Sequence, residues 1–193
     1  MKSLKHINKY FLKYKWRLGL GIVFILLSNY YAIDGFVYAR KAIDFIQEHA
    51  NDKDKSILIN QLLKYTGLIL WAALLSGVFL FFTRQTIIVM SRLIEYDLKN
   101  EIYEHYQKLD ISFYKRNSTG DLMNRISEDV SRVRMYIGPA IMYILNTFSR
   151  FALTIIVMIN VNATLTLYVL IPLPILAVTI YVISDLINKK STQ

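Results

Sequence analysis

Residues 113–130 read FYKRNSTGDLMNRISEDV. The stretch is polar and turn-broken, yet long apolar runs stand on both sides of it. Upstream, Ile87, Met90, Ile94, Leu98, Ile102, Tyr106 and Leu109 recur at helical spacing, with no Gly or Pro between them. Downstream, Leu122, Met123, Ile126, Val130, Val133 and Ile137 fall on one face of a second helix. The spacing predicts two long helices, one descending and one returning. Residues 110–116 then lie across their tips and 117–120 make the turn. Ser118 or Thr119 is placed to cap the return helix, and Asp121 suits its first turn. Arg125–Asp129 and Glu128–Arg132 stand at pairing distance on that helix. Phe113 and Tyr114, at the far end, either dock a partner or fold back on the hairpin.

Outward from this hairpin, four stretches have the length and apolarity a bilayer-crossing helix needs: about 16–37, 62–82, 137–159 and 163–183. The fold class read from them is all-α, with polytopic membrane helices and long cytoplasmic helical extensions. The second span and the descending stripe predict one helix over 62–109, about 70 Å long. The first apolar run is longer than a signal-peptide core, and no small-x-small cleavage signal follows it; it reads as a retained span.

The chain of 193 residues carries a net charge of +9, and the placement of that charge points to lipid rather than nucleic acid. Lys2, Lys5, Lys9, Lys13, Lys15 and Arg17 precede the first span with no acid among them. The positive-inside rule puts this end in the cytoplasm. Residues 38–61 balance their charges and face outside, the uncharged 160–162 make a second outer turn, and Lys189 and Lys190 bring the chain back inside. Leu4, Ile7, Phe11, Tyr14 and Leu18 add an amphipathic lead-in helix over 1–15, its lysines meeting anionic headgroups or simply setting topology. Glu95, Asp97, Glu101 and Glu104, spaced among Arg92, Lys99 and Lys108, read as a solvated face.

Cysteine is absent, and His6, His49 and His105 are scattered, which argues against disulfides, thiolate sites and a histidine metal site. No catalytic set is legible, so the expectation is no catalytic site, metal or cofactor in this chain. Polar groups inside spans are expensive and therefore informative. Arg150 is placed to line a chamber that attracts an anionic or amphipathic cargo, or to pair with Asp34. Asn29, Tyr30 and Asn146 line the same cavity or bond between helices. Pro172 and Pro174 predict a kink in the fourth span.

The stretch 109–141, LDISFYKRNSTGDLMNRISEDVSRVRMYIGPAI, resembles the first intracellular loop and coupling helix of ABC exporters. Phe113, Tyr114, Thr119, Gly120, Asp121, Leu122, Arg125, Asp129 and Val130 fill that family's pattern, and LIPLPILAV (170–178) resembles its fourth span. The likeness covers most of the chain and is nearest the bacterial multidrug-resistance-like and lipid-flippase half-transporters. It implies that Asp110, Ser112, Phe113, Tyr114, Gly120, Asp121, Arg125 and Asp129 couple the spans to a nucleotide-binding domain. Phe113 and Tyr114 would dock, Gly120 would permit the turn, and 121–129 would stiffen the return helix. It further implies a homo- or heterodimer in a bacterial inner membrane, with ATP and Mg held by the nucleotide-binding domain of an ATP-hydrolysing translocase. Such a subunit has six spans and an ATPase domain, whereas this chain shows four spans and no G-x-x-x-x-G-K-[ST]. The expectation is a piece of a longer exporter, with a non-transporting relic or four-span scaffold as the alternative.

Overall fold

A computed structural model describes residues 8–49 and 55–191, and these are all-α, with no strand among them. In chain order the elements are α1 (Asn8–Lys13), α2 (Lys15–Glu48), α3 (Lys55–Gln107), α4 (Ile111–Arg116), α5 (Thr119–Val161), α6 (Ala163–Leu170) and α7 (Pro172–Ser191). Four helices are long and apolar enough to cross a membrane, and they enclose the four expected stretches. Leu4 and Ile7 of the lead-in stripe, Lys2, Lys5, His6 and the 50–54 part of the outer segment lie outside the described residues.

Contacts divide the chain into two units, Met1–Arg150 and Phe151–Gln193. In the first, α2 and α3 form the main pair. Phe24, Tyr31, Phe79 and Phe82 interleave along it, with the Tyr31 and Phe79 rings nearly parallel at 5.7 Å. Ser28 Oγ donates to the Ser76 carbonyl and Ser76 Oγ to the Ser28 carbonyl, both at 3.0 Å. Each hydroxyl thus finds an acceptor on the neighbouring helix, which apolar surroundings otherwise withhold.

The descending stripe is one helix, as its spacing predicts. With 53 residues α3 is about 80 Å long. Ile87, Met90 and Ile94 are fully buried, and Leu98, Ile102 and Tyr106 half-buried. At its end Lys108 N–H bonds His105 O and Leu109 N–H bonds Tyr106 O. That tightened turn ends the helix at Gln107.

The return helix α5 is continuous but contains two widened π-turns, Arg125–Asp129 and Tyr136–Ala140, which the spacing did not foretell. The second holds Pro139, whose missing N–H and bulky ring a wider turn accommodates. The first changes one expectation. Arg125 pairs with Asp121 at 3.0 Å rather than with Asp129, because the widened turn carries Asp129 out of the i,i+4 position. Met123 is 59% exposed, while Leu122, Val130 and Ile137 hold the buried face. The Glu128–Arg132 pair forms, at 2.6 Å.

In the second unit Asn162 closes the expected turn: its side chain accepts from Leu165 N–H at 3.1 Å and caps α6. The hydrogen-bond ladder is interrupted at Ile171, whose backbone stays helical, just before Pro172 opens α7. The interruption falls where proline removes an N–H.

Candidate functional site

The tip is built from the ends of α3 and α5. Asp110 takes an extended conformation (ψ 155°) and starts α4, with Phe113 N–H on the Asp110 carbonyl at 3.0 Å. Asn117 and Ser118, both extended, turn the chain into α5. Asn117 closes α4 by donating both its backbone N–H and its side-chain Nδ2 to Phe113 O, each at 3.0 Å. Two expectations are corrected here. Ser118 stands at the cap position but makes no side-chain cap bond, and neither does Thr119, which lies inside the helix. Gly120 does not make the turn: no glycine has positive φ, and a Cβ on Gly120 would meet Ser118 Oγ at an ordinary 3.6 Å. Two extended residues do that work, and any L-residue adopts their geometry.

No residue of α4 is buried. Ile111 is 76% exposed, a residue the sequence reading passed over. Its signal was present: an isoleucine two residues before the aromatic pair, in an otherwise polar segment. Tyr114 divides between the two readings given for it. Its hydroxyl donates back to Tyr106 O at 2.5 Å, while the ring stays 39% exposed and meets Phe113 edge to face at 5.7 Å. Tyr106 OH in turn donates to Leu122 O at 3.2 Å and ties the two long helices just behind the tip. Asp110, Ser112, Asp121, Arg125 and Asp129 are exposed.

Further up the hairpin, the acidic face of α3 is not simply solvated. Lys9 Nζ sits 2.7 Å from both oxygens of Glu101, which also accepts from Tyr10 OH. Lys13 Nζ lies 2.6 Å and Tyr14 OH 3.0 Å from Asp97 Oδ2. Glu95 pairs with Lys99 at 2.9 Å and with Arg134 of α5 at 3.0 Å, the latter as an ion pair without an aligned hydrogen bond. Burial, with help from Glu101, pushes the Tyr10 phenol up, so it stays a donor. The Asp97 hydrogen bond raises the Lys13 ammonium. The ammonium is therefore charged throughout the neutral range, and the contact is lost only as pH rises past the ordinary lysine value. Lys9 and Lys13, spaced by four on α1, face Asp97 and Glu101, spaced by four on α3 in the opposite sense. Nothing local in the sequence marks these two sets as partners.

The residues proposed to line a membrane chamber divide. Asn29, Asn146 and Arg150 come together: Asn29 is fully buried, its Nδ2 donates to Asn146 O at 3.2 Å, and its Oδ1 accepts from Arg150 Nε at 3.3 Å. Among the described residues Arg150 does not pair with Asp34; its Nε meets the Asn29 amide, more than a turn short of Asp34 on α2. Tyr30 points elsewhere, edge-on to Tyr31 and 56% exposed. The Arg150 side chain stays exposed, with an amide as its partner and no carboxylate in an ion pair with it among the described residues.

Residues 18–193 match the family model for the ABC transporter transmembrane region. An ATP-dependent lipid A-core flippase of Pseudoalteromonas translucida is 27% identical over 72% of this chain and 23% of its own length. An uncharacterised ABC transporter ATP-binding protein of Bacillus subtilis is 28% identical over 97% of the chain and 30% of its own length. A probable multidrug resistance ABC transporter ATP-binding/permease protein of the same organism is 25% identical over 98% and 32%. The chain thus spans under a third of the length of these relatives.

Proposed function

Because the chain belongs to the ABC transporter transmembrane-region family, we propose that it is the force-receiving, membrane-spanning part of an ATP-driven exporter. It works in a bacterial inner membrane, N-terminus inside, as one half of a homo- or heterodimer. The observation that carries this reading is α4: six residues with none buried, held between the ends of two long helices, with Ile111 and Tyr114 presented outward. A rigid crosspiece on two long helices can pass a push from a docked partner into the spans. The partner proposed is a nucleotide-binding domain. Asp110, Ser112, Phe113 and Tyr114 supply the docking face, and Asp121, Arg125 and Asp129 hold the return helix.

ATP and Mg belong to that domain. The 193 residues contain no G-x-x-x-x-G-K-[ST], so they do not fit a nucleotide in the family's manner. For cargo, Arg150 supports an amphipathic or hydrophobic molecule bearing an anionic group. Among the described residues no carboxylate pairs with its charge, and intramembrane arginines mark substrate paths.

The test is Tyr114→Ala in the intact transporter reconstituted in lipid. The substrate-stimulated part of its ATPase should fall roughly tenfold, the loss expected of a docking aromatic, at unchanged membrane abundance. Unaltered stimulation in that variant favours the four-span scaffold, in which the tip carries no force.

A further inference from the structure

We propose that α1 is a brace for the force-receiving hairpin, with Lys9, Tyr10, Lys13 and Tyr14 as positioning residues that hold α3 through Asp97 and Glu101. The inference rests on the exporter reading above and adds a part to it.

Three side chains of α1 and that of Tyr14, which follows it, converge on two carboxylates a single turn apart. Tyr10 is also 5% exposed, packed with Met90 and Ile94 of α3 and Ile137 of α5. One residue of α1 therefore belongs to a core that both arms of the hairpin share. The grip lies well toward the tip. Gly21 of α2 meets α3 at Ile87, and Asp97 and Glu101 stand about 15 and 21 Å further along that helix. A long helix loaded at its end bends between its supports, so a support placed there transmits more of the load.

The brace is also joined firmly to the first span. Tyr14 (φ −107°, ψ 21°) marks the boundary of α1 and α2, yet hydrogen bonds run through it. Tyr14 N–H bonds Tyr10 O at 3.0 Å, and Arg17 and Leu18 N–H both bond Tyr14 O, at 3.0 and 3.1 Å. Load taken from α3 by α1 passes into α2. The ion pairs themselves are half-exposed, about 47%/43% for Lys9–Glu101 and 57%/18% for Lys13–Asp97. Exposed pairs add little to stability; here their effect is on where the hairpin stands.

The test uses three variants of the intact transporter in proteoliposomes. One is Lys9→Glu with Lys13→Asp, one is Asp97→Lys with Glu101→Lys, and the third combines all four. Each half-swapped variant should keep its membrane abundance and basal ATPase while the ratio of substrate-stimulated to basal turnover drops roughly fivefold. The combined swap should recover most of that ratio. A purely structural role would not be rescued in turnover ratio at constant abundance. If charge reversal lowers abundance, Lys9→Gln with Lys13→Gln reads the same ratio. Half-swapped or neutral variants with unchanged stimulation overturn the brace, as does a loss the combined swap leaves in place. A wild-type protein showing no stimulation at all would instead sink the exporter reading.

Discussion

Gly138 lies against α3 so closely that an added Cβ would run into Ser91 Oγ and stand 2.7 Å from Ser91 Cβ. Ser91 is fully buried and its hydroxyl is already committed to Ile88 O at 2.8 Å, so it has little freedom to move away. Gly138→Ala should therefore cost about 1–3 kcal/mol, the usual penalty of an extra methyl in a filled contact. It should lower the unfolding midpoint in detergent, and Ser91→Gly should restore it. Gly67→Ala, with nothing within 4 Å of its Cβ, serves as the unaffected control. An unchanged midpoint in Gly138→Ala would mean that α3 and α5 do not approach closely there. Glycine spacing alone does not separate these two positions; the neighbour across the helix pair does.

At the scale of elements, periodicity carried most of the information. The run from Ile87 to Leu109 was readable as a helix because an apolar stripe continued past the membrane without Gly or Pro, and its first members are fully buried. The turn expected over 117–120 is shorter, Asn117 and Ser118 alone, because α5 begins at Thr119, and it was given the wrong agent. A glycine in a polar loop reads as a hinge, whereas the extended backbones of Asn117 and Ser118 make this one. The π-turns were invisible because a one-residue widening shifts a stripe by less than its own width, so only the Arg125 pairing betrays the first of them. Serines escaped attention for a different reason. A lone Ser in an apolar span is unremarkable until its counterpart is known to be opposite, as Ser76 is for Ser28. Replacing both with Ala should destabilise the α2–α3 pair by about 1 kcal/mol, since interhelical side-chain bonds in membranes average roughly 0.6 kcal/mol each. Equilibrium unfolding in bicelles measures this, and a stability equal to wild type would show that the aromatic ladder alone holds the pair.

For the whole molecule, long-range polar pairing was the part least legible in the chain. Lys9 and Glu101 are 92 residues apart, and nothing local distinguishes an acid that binds a distant lysine from one that faces water. The membrane polar node behaves the same way: Asn29 and Arg150, 121 residues apart, were each conspicuous, but Asp34 was the more obvious partner on charge alone. The amide wins because it sits at the level of Arg150 while the carboxylate lies more than a turn further along α2. Together these bonds make the first unit a braced frame whose exposed end is α4.

The central claim is that this end receives a nucleotide-binding domain. The direct test is a photo-crosslinking amino acid at Ile111, the most exposed apolar side chain of α4, in native membranes. The account predicts an adduct whose peptide maps to a groove of an ATP-binding domain bearing a G-x-x-x-x-G-K-[ST] segment, with a yield that changes when ATP is added. An adduct confined to lipid or to other spans, indifferent to ATP, would contradict it.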